Sequence, residues 1–146
     1  MRVTTLIAVM STAIVVALAC GPQQPPRSPR VEEITALWTQ IRDWRQDAGW
    51  PVDPPHEDVL AIKGKTVDQI SAICRPPQPE PQACADVCSL AEAICDNAEQ
   101  ICILADELGK NDDWAQRKCM SAKASCRDSK KKCCQKCSEP PKATMK

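Results

Sequence analysis

Apolar and small residues recur along the second half of the chain with a helical period. Cys84, Cys88, Ala91, Cys95, Ala98, Cys102 and Ala105 fall on one stripe, because seven residues make two helical turns. Val87, Ile94, Ile101 and Leu108 run beside that stripe. A second segment repeats the rhythm with Ala115, Cys119, Ala122, Cys126, Ser129, Cys133 and Cys137. Between the two, Gly109 suits the end of a helix, and Asn111 or Asp112 suits the cap of the next. Asp113 to Gln116 resembles a capping box, and Pro140–Pro141 stops the second segment. The pattern predicts an antiparallel helical hairpin, with helices over 84–108 and 112–137.

Upstream, Ile34, Leu37, Trp38, Ile41, Trp44 or Arg45, and Ala48 mark an amphipathic helix over 31–48 that Gly49 and Pro51 end. Its polar face mixes Glu32, Glu33 and Asp43 with Arg42 and Arg45, whereas a membrane-surface helix would favour Lys and Arg there. The expectation is that this helix docks on the hairpin and covers Val87, Ile94, Ile101 and Leu108; the alternative leaves those four as an exposed partner-binding stripe. Pro51 to Pro55 reads as a loop, Val59, Leu60 and Ile62 as a short helix, and Thr66 to Gln69 as a capping box opening another. Arg75 to Gln82 is a proline-rich connector. The fold class is thus all-α: a stapled hairpin with one or two shorter N-terminal helices packed on it.

The N-terminus is of a different kind. After Met1–Arg2, Leu6 to Ala19 is apolar or small throughout, too short to span a bilayer and suited to the core of a signal peptide over 1–19. Ala17-Leu18-Ala19-Cys20 resembles the lipobox of bacterial lipoproteins, with Ala17 where that family prefers Leu. The resemblance implies lipidation at Cys20, a membrane anchor, and, with Gly21 next, sorting to the outer membrane, facing the periplasm or the cell surface. Residues 20–30 then form a proline-rich tether reaching about 3 Å per residue. Residues 31–83 are the N-terminal helical segment, 84–138 the Cys-rich hairpin and 139–146 a tail.

Composition sharpens this picture. The 146-residue chain has no Phe or Tyr, four Trp and eleven Cys. A small chain short of aromatic area needs another source of stability, and cysteine pairing can supply it. Nineteen basic and nineteen acidic residues leave no net charge, so no overall field points to nucleic acid. His56 is the single histidine, placed in a loop and solvated, which argues against His-dependent catalysis and multi-His metal sites. The chain carries no recognisable cofactor motif and no nucleophile–base constellation.

The two cysteine stripes are mirror images about the Lys110–Asn111 bond, where the turn is independently expected. Antiparallel pairing gives Cys84–Cys137, Cys88–Cys133, Cys95–Cys126 and Cys102–Cys119. Cys74 and Cys134 remain, and a Cys74–Cys134 bridge is expected by elimination. Export favours disulfides, yet the same mirror fits facing thiolates for a soft ion such as Cu(I). Cys134-Gln-Lys-Cys137 is a lone C-x-x-C without the βαβ context of a thiol–disulfide enzyme. Charge favours the hairpin: Cys84 to Leu108 has six acids and no base, whereas Arg117 to Lys136 has eight bases against Asp128 alone. Lysines 130–132 with Lys136, Lys142 and Lys146 read as a solvated basic face paired with the acidic helix; the alternative is contact with an anionic lipid or polymer.

The stretch ADVCSLAEAICDNAEQICILADELGKNDDWAQRKCMSAKASCRDSKKKCCQKC resembles a Cys-rich module of uncharacterised lipoproteins of myxobacteria and related deltaproteobacteria. The resemblance implies an address and no activity. The architecture is also similar to the twin-cysteine hairpins of the mitochondrial intermembrane space, whose cysteines are spaced more widely, and no function is carried over. The expected role is that of a non-enzymatic envelope lipoprotein with a structural or protein-interaction role and an envelope protein as partner. The alternative is a thiolate Cu(I)-binding protein.

Overall fold

The computed structural model describes residues 28–73, 82 and 84–138. The expected signal peptide over 1–19, Cys20, most of the expected tether, Cys74, nearly all of the connector and the tail lie outside them. Within the described residues every regular element is an α-helix: α1 Pro29–Asp47, α2 His56–Ala61, α3 Val67–Ser71, α4 Ala85–Leu108 and α5 Asp113–Ser138. Three helices precede the hairpin, at the helix expected over 31–48 and the two short ones read around Val59–Leu60 and after Thr66.

Local chemistry accounts for most of the boundaries. α1 begins earlier than expected, inside the stretch assigned to the tether. Ser28 caps it by accepting from Val31 N, and Pro29 sits in the first turn, where its missing N–H costs nothing. α3 opens on a complete capping box: Thr66 Oγ1 accepts from Gln69 N while Gln69 Oε1 accepts from Thr66 N. α4 ends at Gly109, whose φ of 112° and ψ of 153° lie in a region essentially reserved for glycine. Asp112 Oδ1 then accepts from Ala115 N at 3.0 Å to start α5. Gln116 corrects the capping-box expectation. Its amide donates across the turn to the carbonyls of Ala105 and Gly109, which also accept from Gly109 N and Asp112 N.

α4 and α5 form the hairpin, and α1 lies antiparallel along α4. Arg30 pairs with Glu107 at one end of α1, and Asn97 Nδ2 donates to Gln40 Oε1 at 2.8 Å further along. α2 and α3 pack on α5. Ile34, Trp38 and Ile41 of α1 meet Ile94 and Ile101 of α4 in one core, which Ile62, Val67 and Ile70 extend. Ile94 and Ile101 are wholly buried. α1 therefore covers the middle of the stripe beside the seam, Ile94 and Ile101, within the chain. Leu108 packs at its edge. Val87 falls instead in a small second cluster with Cys84, Cys88, Ala91, Cys133 and Cys137. His56 opens α2, with its side chain exposed.

Candidate functional site

The seam between α4 and α5 is built from small residues. Ala91, Ala98, Ala105, Ala115, Ala122 and Ser129 have no exposed surface. Their lack of bulk lets the backbones approach: the Cα atoms of the bridged pairs are 4.6–5.1 Å apart, at the close end of the range disulfides accept. The four bridges are Cys84–Cys137, Cys88–Cys133, Cys95–Cys126 and Cys102–Cys119, the register of the mirrored stripes. Cys134 is also disulfide-bonded. The eight seam cysteines are bonded to one another, so its partner lies outside the described residues, as does Cys74.

At the open end of the hairpin the sulfur density rises. The Sγ atoms of Cys84, Cys88 and Cys137 lie within 4.8 Å of one another. Cys88 Sγ is 3.4 Å from Cys137 Sγ although the two belong to different bridges. Neither sulfur carries a proton in a disulfide, so this is van der Waals contact. Cys137 is half-buried, while Cys84, Cys88 and Cys133 are buried.

At the turn end a cavity of about 490 Å³ opens between the α2–α3 loop and the hairpin. The Cys102–Cys119 bridge and Ile103 line it with Glu99, Asp106, Lys110 and Lys123. Hydrogen bonds from Lys110 and Gln116 hold the Asp106 carboxyl below its usual range. Partial burial lowers the Lys123 ammonium, which also donates to the carbonyl of Lys65. The cavity is thus mixed in charge.

The lysine run has an internal use. Lys130 reaches Glu92 across the hairpin, Lys131 pairs with Asp58, and Lys132 pairs with Asp128. Arg127 Nε donates to Asp58 Oδ1 at 2.9 Å. Lys118 and Lys132 lie over the rings of Trp38 and Trp50, at 5.1 and 5.6 Å from the centroids. Burial lowers the Lys118 ammonium from its ordinary range. α5 therefore spends much of its positive charge on the N-terminal segment, not only on the acidic α4.

The residues that sequence reasoning missed lie in this contact. Arg45 is fully buried; its Nε donates to Pro51 O at 2.9 Å and Val52 O at 3.1 Å, and its Nη2 to Asp128 Oδ2 at 2.9 Å. Asp58 and Asp128 are buried with it. The available signal was Asp128, the single acid among the bases of 117–136.

No protein-family model, curated protein or solved structure matches this chain.

Proposed function

We propose that this chain is a non-enzymatic lipoprotein of the bacterial cell envelope, held at the membrane through an acylated Cys20. It presents a covalently stiffened helical unit to an envelope protein. The observation that carries the reading is the seam: four disulfides join two helices along their length. Such density belongs to an oxidising compartment and to a chain that gains stability from bridges instead of a large aromatic core. The lipobox-like Ala17–Cys20 and the proline-rich stretch after it supply the address and the spacing. Among the described residues, no helix is long and apolar enough to cross a membrane. An anchor at Cys20 is compatible with that.

The test is the intact mass of the membrane-fraction protein. The expected species begins at Cys20 and carries a diacylglyceryl thioether, and Cys20→Ala moves the chain out of the membrane fraction. An unmodified chain in the soluble fraction sinks the reading. Cross-linking in the envelope then identifies the partner.

The second reading, thiolate Cu(I) binding, draws on the three sulfurs within 4.8 Å at the open end. It requires reduced Cys84–Cys137 and Cys88–Cys133 pairs, because a disulfide sulfur is not a thiolate ligand. Thiol titration of protein taken from the envelope separates the two. Near-zero thiols removes the metal reading; eight or more removes the stapled one.

A further inference from the structure

The cysteine spacing breaks its own rule at one point. Along α4 the steps from Cys88 to Cys95 to Cys102 are seven residues, whereas Cys84 precedes Cys88 by four. The two bridges at the open end therefore stand one helical turn apart, about 6 Å of rise, and the others stand two. This displacement brings Cys88 Sγ and Cys137 Sγ to 3.4 Å, within the separation of about 3–3.5 Å at which reacting atoms are poised.

We propose that the open end of the hairpin is a thiol–disulfide exchange site that accepts electrons from an exported dithiol. Cys137 is its entry sulfur, being half-buried where its three neighbours are buried. One thiolate of the dithiol attacks Cys137 Sγ; the Cys84–Cys137 bond breaks, and Cys84 leaves with the electron pair. Cys84 occupies the N-cap of the 24-residue α4, where the helix terminus favours the departing anion. The second thiol of the dithiol then resolves the mixed disulfide. The dithiol departs oxidised, and Cys137 is left as a thiolate. In the next step Cys137 Sγ bonds to Cys88 Sγ, the Cys88–Cys133 bond breaks, and Cys133 takes the electron pair and a proton. That internal step is redox-neutral. It leaves a Cys88–Cys137 bridge, with Cys84 and Cys133 as thiols. Overall two electrons and two protons pass from the dithiol to the chain. The site does not depend on the anchor at Cys20, so failure of the lipid assay leaves it standing.

The seam contains its own control. Opening Cys102–Cys119 also leaves a thiol, yet the neighbouring Cys95–Cys126 bridge is two turns away. In the oxidised full-length mature chain, Cys84→Ser leaves Cys137 as a thiol beside an intact Cys88–Cys133 bond. Serine is a good N-cap, so the start of α4 is kept. After incubation at mildly alkaline pH, alkylation and non-reducing peptide mapping, Cys88–Cys137-linked peptides and alkylated Cys133 are expected. Their share is on the order of one half, as for two exchange isomers of similar energy. Cys102→Ser, treated alike, is expected to show alkylated Cys119 and an unchanged Cys95–Cys126 bridge. The proposal is overturned if alkylation of Cys84→Ser stays at Cys137, if it appears at Cys134 in place of Cys133, or if Cys102→Ser scrambles equally. Should Cys84→Ser fail to fold, the natural chain with one equivalent of dithiothreitol gives the same readout. Label at Cys84 and Cys133 supports exchange; label at Cys84 and Cys137 alone overturns it.

Discussion

Arg45 is the residue on which the N-terminal segment turns. Its guanidinium has no exposed surface, and three backbone carbonyls of the Pro51–Asp53 loop and the Asp128 carboxylate surround it. Nη1 finds no partner among the described residues. Desolvating a buried ion pair costs nearly what its attraction returns, so the pair adds little net stability, yet removing one member strands the other. Arg45→Met and Asp128→Leu are each expected to lower unfolding free energy by about 3–5 kcal/mol. The double variant Arg45→Met/Asp128→Leu is expected to lose far less than the sum. Lys132, the other partner of Asp128, is 27% exposed and can turn to water. Urea unfolding of the four proteins with bridges intact measures the cycle, and simple additivity would refute the coupling. Arg45 was hard to read from sequence. An arginine in a helical stripe reads as the edge of the apolar face, and its partner lies 83 residues away with no local trace.

At the scale of elements, the hairpin was legible because two independent codes agree. Cysteine periodicity puts the mirror point at Lys110–Asn111, and turn chemistry at Gly109 and Asp112 puts the reversal in the same place. Coverage of Ile94 and Ile101 by α1 followed from matching apolar stripes. Less legible were contacts without a period. α2 is six residues long and buries Asp58, while its Leu60 is 64% exposed, the reverse of what hydropathy alone suggests. Asp58 is inside because Arg127 and Lys131 of α5 both reach it. The start of α1 carried a readable signal, Ser28 before Pro29, hidden by the proline-rich stretch around it. The seam itself makes an energetic prediction. Cys102–Cys119 closes the shortest loop, with a sequence separation of 17, and loop closure of that size is worth about 3 kcal/mol. With the other three bridges present, that loop is already confined. Cys102→Ala/Cys119→Ala is therefore expected to lose clearly less than 3 kcal/mol in the natural background. It loses about the full amount in a background lacking the other three seam bridges. Denaturant midpoints in the two backgrounds check this, and equal losses would mean that the bridges act through local packing.

The whole molecule joins a covalently closed half to a half held largely by non-covalent contacts. α4 and α5 are bridged at four levels. Among the described residues, α1, α2 and α3 are held to them by the isoleucine-rich core, the Arg45 and Asp58 ion pairs and the two lysine–tryptophan contacts. Unfolding of the hairpin is opposed by the chain-entropy constraints of the four seam bridges, none of which involves a residue of α1. Denaturant should therefore release α1 from the seam before the hairpin loses its helices. The tryptophans separate the two events, since Trp38, Trp44 and Trp50 belong to the N-terminal half and only Trp114 to the hairpin. In the oxidised protein the tryptophan-fluorescence transition is expected at lower urea than the loss of helical circular dichroism. Once the bridges are reduced and alkylated, both signals should move to lower urea and coincide, because neither half then retains a separate covalent support. Coincident transitions in the oxidised protein would show that α1 and the hairpin unfold as one unit, with the core and the buried ion pairs binding the halves as tightly as the bridges bind the seam.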